Sequence, residues 1–199
     1  MITLIDYGVG NLYSVAKALA SVGGDVKISA AADDLKRAEK IILPGVGAFG
    51  DCMKNLEASG LIPTIEREIA GGKKILGICV GLQILFAGSD ESPGVDGLKI
   101  FSGRVKKIQA GNLKIPHMGW NSVTSGDSKL FAGLSGAPYF YFVHSYHAAP
   151  ADPNIIAATT NYGEKITAAV ERENIFATQF HPEKSGDVGL RVLKNFLDA

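Results

Sequence analysis

Cys79 is the residue of this sequence that is best placed to act as a nucleophile. It lies between Gly77 and Gly81, where a short apolar run ends and helical spacing begins. Small neighbours let a chain bend sharply from a strand into a helix and expose the side chain between them. The first turn of a helix also favours a thiolate, because its N–H groups are unpaired. Gln83 follows one helical turn later and could hold a substrate beside the sulfur. A buried core cysteine is the alternative that this motif leaves open.

His181 is the best candidate for the base that a nucleophilic cysteine needs. It stands two residues before Glu183, with Pro182 between them, at the end of a predicted strand. Proline favours an extended conformation in the preceding residue, so the imidazole and the carboxylate are expected to point to the same side. A carboxylate in that position fixes the imidazole tautomer and stabilises the imidazolium. A His-Pro-Glu tripeptide taken alone is most often an ordinary loop; its place at a strand end, in a chain that also carries Cys79, favours the catalytic interpretation.

A glycine-rich loop at 44–50, PGVGAFG, follows another predicted strand. Reactive sites in open α/β sheets collect at the carboxyl ends of strands, where this loop and Cys79 would both lie. Glycines there allow backbone N–H groups to face an oxyanion. A simple turn before a helix is the competing interpretation. The turn at 7–12 also follows a strand but lacks the last glycine of a dinucleotide fingerprint, so no nicotinamide cofactor is expected.

The elements that must position these residues alternate along the first half of the chain. Apolar runs predict strands at 2–5, 26–29, 40–43 and 74–78, and helical spacing predicts helices at 12–22, 51–58, 62–70 and 80–87. A polar stretch lies at 33–40. Such alternation predicts a parallel sheet covered by helices. After residue 98, short runs predict antiparallel strands at 101–108, 113–117, 139–144, 155–160, 166–170 and 175–180, before a last helix at 189–197. The predicted fold is an α/β protein with an open, mostly parallel sheet and an antiparallel extension.

Composition narrows the class of protein further. The 199 residues are expected to form one domain, 1–199, and 20 basic residues balance 20 acidic ones. Zero net charge argues against nucleic acid and anionic membranes as partners. Two cysteines are too few for a disulfide scaffold, and there is neither a signal peptide nor a membrane span, so a cytoplasmic location is expected. No group of residues has metal-ligand spacing, and we expect no metal and no organic cofactor.

The three motifs in this order, PGVGAFG (44–50), LGICVGLQ (76–83) and QFHPEKS (179–185), resemble the class I, or triad, glutamine amidotransferases over essentially the whole chain. The resemblance implies that Cys79 attacks the side-chain amide of glutamine, that His181 is the base and acid, and that Glu183 holds His181. It implies oxyanion donors at Val80 and at Val46 or Gly47. The positions that match glutamine contacts are Gln83, Ser145 and Tyr146.

Further segments, DYGVGNLYSV (6–15), PHMGWN (116–121) and FVHSYH (142–147), resemble one branch of that family, the glutaminase subunits of imidazole glycerol phosphate synthases. This branch implies a heterodimer with a barrel-shaped cyclase subunit, which receives ammonia through an internal tunnel and makes imidazole glycerol phosphate and AICAR. The implied interface includes Met118, Trp120, Asn121 and Lys184. A Trp half-buried in its own core is the alternative for Trp120.

Two other functions stay open from the sequence. One is a glutaminase that supplies a different synthase, such as pyridoxal phosphate synthase, with the same triad; the DYGVGN and PHMGWN segments argue against it. The other is a silent binding subunit, which the joint presence of the three triad residues disfavours. The basic stretch at 99–114 is interpreted as the exposed face of a hairpin, Cys52 as structural and His147 as a surface residue.

Overall fold

A computed structural model describes all 199 residues and contains one eight-stranded sheet. The strands of this sheet are β1 (Ile2–Ile5), β2 (Val26–Ser29), β3 (Lys40–Leu43), β4 (Lys74–Ile78), β7 (Thr124–Ser125), β10 (Ile156–Tyr162), β11 (Glu164–Arg172) and β12 (Ile175–Thr178). Their order across the sheet is β2-β1-β3-β4-β12-β11-β10-β7. The pairs from β2 to β12 in this order are parallel, and the pairs from β12 to β7 are antiparallel. The mostly parallel sheet with an antiparallel extension is confirmed.

Two antiparallel ribbons complete the strand content. One pairs β5 (Gly103–Lys107) with β9 (Tyr146–Pro150), and the other pairs β6 (His117–Ser122) with β8 (Tyr139–His144). The inward residues of β8 join a cluster of 49 buried hydrophobic residues that also includes the central strands. The ribbons therefore share the core of the large sheet, and they bring the 144–146 segment against it.

Six α-helices cover the parallel strands: α1 (Leu12–Ser21), α2 (Ala32–Arg37), α3 (Phe49–Ala58), α4 (Ile62–Ala70), α5 (Val80–Gln83) and α6 (Gly186–Asp198). Each long helix buries one apolar side; in α6 this side includes Val192, Leu193 and Phe196. Two lysines fix the end of α6, since Lys40 Nζ lies 2.9 Å from the Phe196 carbonyl and Lys74 Nζ lies 2.7 Å from Ala199 O. Cations suit these positions because the last carbonyls of a helix are unpaired.

Some element predictions are wrong. The strand predicted at 113–117 begins only at His117 as β6. Two elements have no counterpart among the predictions: α2, which overlaps the polar stretch at 33–40, and β9 after residue 145. The last predicted antiparallel strand, β12, is antiparallel to β11 on one side but parallel to β4 on the other.

The helix predicted at 80–87 ends at Gln83. The carbonyls of the following turns are used elsewhere, because Ile84 O accepts from Leu98 N at 2.8 Å and Leu85 O accepts from Phe101 N at 3.0 Å. A carbonyl bonded to a distant segment is not available to continue the helix. No helix of the chain is both long enough and apolar enough to cross a membrane.

Candidate active site

Cys79 occupies a sharp bend between β4 and α5. Its φ is +56° and its ψ is −109°, a conformation that L-residues rarely adopt. The bend brings backbone segments so close that a Cβ at Gly81 would lie 2.0 Å from the Leu43 carbonyl oxygen, and one at Gly77 would lie 2.7 Å from Gly81 O. A side chain at either position would collide with the backbone, so both residues must be glycine. The strained backbone of Cys79 between them is of a kind that clusters at functional sites.

Replacing Gly81 with alanine should destabilise the fold by about 3 kcal/mol or more, because the new methyl group meets backbone rather than a movable side chain. Urea denaturation measures the loss. The matched control is Gly126→Ala, where no heavy atom lies within 4 Å of the added Cβ; it should stay within about 0.5 kcal/mol of wild type. Equal midpoints for the two variants would show that the bend tolerates a side chain.

His181 and Glu183 form a buried pair in the segment after β12. Nδ1 of His181 lies 2.8 Å from Glu183 Oε1, and the two side chains are 3% and 1% exposed. Burial lowers the pKa of His181, but the interactions with Cys79 and Glu183 outweigh burial and raise it to about 10. His181 therefore carries a proton at neutral pH. The other carboxylate oxygen, Oε2, is buried without a hydrogen-bond partner, so the carboxylate has no second group to compete with the imidazole.

Cys79 and His181 both line a cavity of about 580 Å³, a volume within the usual range of small-molecule sites. The wall combines the ends of parallel strands with the segment between β8 and β9. It contains the predicted residues Cys79, Val80, Val46, Gly47, Gln83, Ser145, Tyr146, His181 and Lys184, together with Gly10, Asn11, Glu91, Val143 and His144. The structure thus brings the three sequence motifs together around one cavity.

Gln83 is tied to its surroundings through its amide nitrogen. Nε2 donates to the Tyr146 carbonyl at 3.0 Å and to Gln179 Oε1 at 3.1 Å, which uses both of its hydrogens and leaves Oε1 as an acceptor for the cavity. Gln179 is fully buried, and its own Nε2 lies 3.8 Å from Cys79 Sγ. Sequence reasoning gave Gln179 no role, although it opens the QFHPEKS segment.

A carbonyl of the glycine-rich loop occupies the N–H of Val80. The Val80 N–H donates to the Gly45 carbonyl at 3.3 Å. The neighbouring carbonyls are also held, since Tyr7 Oη donates to Pro44 O at 2.5 Å and Cys52 Sγ lies 3.4 Å from Val46 O. Burial is the main reason that the pKa of the Cys52 thiol is raised, to about 11. In this conformation, therefore, the Val80 N–H is not available to the cavity.

Of the four residues assigned to an interface, Lys184 lines the cavity, and Met118, Trp120 and Asn121 lie on β6. Met118 is 62% exposed and Trp120 55% exposed, so the core interpretation of Trp120 is wrong. Trp120 contacts the ring of Tyr141 edge-on with centroids 6.3 Å apart, and Lys184 Nζ lies 5.8 Å from the centroid of the same ring. Because Lys184 also lines the cavity, it connects the cavity to the rings of Tyr141 and Trp120.

Three other histidines are buried. His147, predicted at the surface, is 7% exposed, with Nε2 3.5 Å from Glu164 Oε1. His117 and His144 contact each other between β6 and β8. The basic residues of the 99–114 stretch are exposed, as predicted, and Lys99 pairs with Asp96 and Arg104 with Asp90. The predicted hairpin is wrong, because the one strand of this stretch, β5, pairs with the distant strand β9.

Comparison with known proteins agrees with this geometry. The family model described as "Glutamine amidotransferase class-I" matches residues 3–199. The imidazole glycerol phosphate synthase subunit HisH of Methanothermobacter thermautotrophicus is 51% identical over 199 residues, covering 100% of this chain and 98% of the relative. The imidazole glycerol phosphate synthase hisHF of Emericella nidulans is 47% identical over 207 residues, covering 98% of this chain and 37% of that longer protein.

Solved structures show the same fold at low sequence identity. A crystal structure of a glutamine amidotransferase superposes with a TM-score of 0.79 at 18% identity, covering 100% of this chain and 98% of the other. PurLQS from Thermotoga maritima superposes with a TM-score of 0.77 at 20% identity, covering 99% and 97%. The family match spans nearly every residue, and the chain belongs to the class I glutamine amidotransferases, among the relatives of the HisH subunits.

Proposed function

We propose that this chain is the glutaminase subunit of an imidazole glycerol phosphate synthase and hydrolyses glutamine to glutamate and ammonia. The observation that carries the proposal is the buried His181–Glu183 pair, 2.8 Å apart, whose His181 lines the same cavity as the strained Cys79. A nucleophile, a base and a carboxylate that orients the base make up a complete set for acyl transfer.

The reaction begins with the thiol proton on His181, the form that its raised pKa favours. The Cys79 sulfur attacks the side-chain carbonyl carbon of glutamine, and a tetrahedral intermediate forms. His181 then donates its proton to the leaving nitrogen, the C–N bond breaks, and ammonia departs from a γ-glutamyl thioester. His181 next takes a proton from water, whose oxygen attacks the thioester carbon. The C–S bond breaks, His181 returns its proton to the sulfur, and glutamate and the free thiol result.

The tetrahedral intermediate needs hydrogen-bond donors for its oxyanion. We assign Val80 N–H and one N–H from Val46 or Gly47 to this role. Since the Val80 N–H is bonded to Gly45 O in this structure, the described state lacks one donor. Losing one such donor costs a rate factor of about 10² to 10³. Reorientation of the Gly45 peptide would free the Val80 N–H and restore a rate factor of about this size.

Glutamine is bound by the part of the cavity wall that Gln83, Ser145 and Tyr146 form. The free Oε1 of Gln83 can accept from the α-ammonium group, and the Ser145–Tyr146 segment lies beside it. This segment is fixed from the other side, because the Ser145 carbonyl accepts from Ile108 N at 3.0 Å. The arrangement directs the substrate amide toward Cys79.

The ammonia is delivered to a cyclase subunit, with which the chain forms a heterodimer. The fused hisHF relative contains a segment similar to this chain within a longer protein, as expected for two activities that work together. Met118, Trp120, Asn121 and Lys184 are assigned to the interface, and the exposed apolar area of Met118 and Trp120 beside the cavity supports this. Large aromatic residues are typical anchors of such contacts.

The test is glutamine hydrolysis by the chain alone, with the cyclase subunit, and with that subunit plus its nucleotide substrate. We expect a low rate alone and a strong rise in the third mixture, because the loop must reorient. A high rate that the cyclase subunit does not change would keep the glutaminase chemistry but reject this partner in favour of another synthase.

A silent binding subunit is distinguished by thioester trapping. The analogue 6-diazo-5-oxo-norleucine should label the wild type and not Cys79→Ala, as read by intact mass. Absence of labelling in the full complex would contradict the proposed chemistry.

A further inference from the structure

A pair of buried histidines connects the exposed ribbon strand β6 to the glutamine cavity. His117 on β6 and His144 at the end of β8 are 2% and 6% exposed, and neither takes part in the chemistry proposed above. The His117 ring is stacked between Phe142 and Tyr162, with centroid distances of 4.7 and 4.2 Å. Its position is therefore fixed by packing, and its two nitrogens point in defined directions.

The hydrogen-bond partners determine where the protons lie. Burial lowers the pKa of His117 to about 4 and that of His144 to about 3, so each ring is neutral at pH 7 and has one N–H. His144 Nδ1 lies 2.8 Å from the Tyr146 carbonyl, which can only accept, so Nδ1 carries the hydrogen. His144 Nε2 is then an acceptor, and His117 Nδ1, 2.9 Å away, must donate to it.

The partners on the outer side of His117 fix the remaining hydrogen positions. His117 Nε2 has no hydrogen and accepts from Asn121 Nδ2 at 3.2 Å. The Asn121 amide is held in this orientation, because Nδ2 also donates to the Asn161 carbonyl at 2.9 Å and Oδ1 accepts from Ser122 N at 2.8 Å. Every bond therefore runs in one direction, from Asn121 through both imidazoles to the carbonyl of Tyr146.

The inner end of this chain of hydrogen bonds is in the substrate site. The Tyr146 carbonyl that accepts from His144 also accepts from Gln83 Nε2 at 3.0 Å. Both donors fix the orientation of that carbonyl, and the carbonyl in turn fixes the amide whose oxygen faces the cavity. The outer end is on β6, the strand that carries Met118 and Trp120.

We propose that His117 and His144 are positioning residues that hold the Tyr146 carbonyl and the Gln83 amide in place for glutamine and connect them to Asn121 on the exposed strand. The inference rests on the proposed glutaminase function and deepens it. It assigns a role to two residues that the triad chemistry does not use.

Two substitutions at His117 separate the hydrogen bonds from the packing. His117→Phe keeps the aromatic stack but removes the donor to His144 and the acceptor for Asn121. His117→Asn loses the stack, while its Nδ2 takes the place of Nδ1 and still donates to His144. In the complex with the cyclase subunit, we expect His117→Phe to raise KM for glutamine about tenfold with little change in kcat, since binding of the ground state is lost. His117→Asn should raise KM less than about threefold although it lowers the melting temperature more.

A purely structural role predicts the opposite order, with His117→Asn worse in both measurements, and that result would overturn the proposal. Tyr162→Leu is the matched control, because it removes one stacking partner and no atom of the chain of hydrogen bonds. Its KM should stay at the wild-type value. A tenfold rise in that variant would assign the effect to packing.

The tautomers provide a readout that is independent of activity. Nitrogen-15 NMR of the wild type at pH 7 should show the hydrogen on Nδ1 in both His117 and His144. An Nε2–H tautomer or an imidazolium at either residue would overturn the proposal, whether or not any variant folds. If the wild-type complex fails to hydrolyse glutamine, the proposed function is wrong, and the NMR result still decides whether the directed chain of hydrogen bonds exists.

Discussion

Glutamine hydrolysis by the complex should fall by roughly 10⁴-fold or more when Cys79 is replaced by alanine. The variant has no atom that can form the thioester, because the only other cysteine, Cys52, does not line the cavity. The backbone bend should survive, because alanine and cysteine have the same Cβ. Initial rates of glutamate release in the presence of the cyclase subunit measure the loss, and the melting temperature checks the fold.

Cys52 offers a matched control for this substitution. It is the other buried cysteine, it does not line the cavity, and burial raises the pKa of its thiol to about 11, which disfavours a reactive thiolate. Cys52→Ala removes a weak bond to the Val46 carbonyl and a contact with the Tyr7 hydroxyl but no group of the cavity wall, so its rate should stay within about tenfold of wild type. Activity in Cys79→Ala, or an equal loss in both variants, would contradict the assignment of the nucleophile.

The bend at Cys79 could be predicted because its determinants are local. Two glycines at the junction of a strand and a helix are visible in the sequence, and so is the two-residue spacing of His181 and Glu183, whose side chains the structure places 2.8 Å apart. The end of α5 at Gln83 was not predictable in this way. It depends on bonds from Leu98 and Phe101 to carbonyls that are distant in the sequence.

Contacts around the triad also join residues that are distant in the sequence. His117 and His144 are direct partners across β6 and β8, and this pairing brings their rings together. The bond between the Val80 N–H and the Gly45 carbonyl joins the start of α5 to the loop at 44–50. Neither contact has a local signature, so sequence analysis predicts the loop as an oxyanion site but does not predict that its Gly45 carbonyl is bonded to the Val80 N–H. The burial of His147 was missed for the same reason.

Replacing Glu183 with glutamine should lower the rate of glutamine hydrolysis by roughly 10³-fold. Glutamine has nearly the same shape, but it is neutral and places an amide nitrogen where Oε2 is now buried without a partner. The imidazolium then loses the charge that stabilises it, and the pKa of His181 should fall from about 10. Proton NMR titration of His181 and rates in the complex measure the two effects.

The sign of the accompanying stability change follows from the same pKa. A folded-state value above the ordinary 6.5 means that protonated His181 stabilises the wild type fully below pH 6.5, and that this contribution is lost as pH rises through about 10. Glu183→Gln should therefore be destabilised most near pH 6 and approach wild type as the pH rises through about 10. Glu164→Gln is the control, because Glu164 also faces a buried imidazole, that of His147, but lies outside the cavity. It should keep the wild-type rate, and a loss equal to that of Glu183→Gln would mean that the carboxylate beside His181 has no special role.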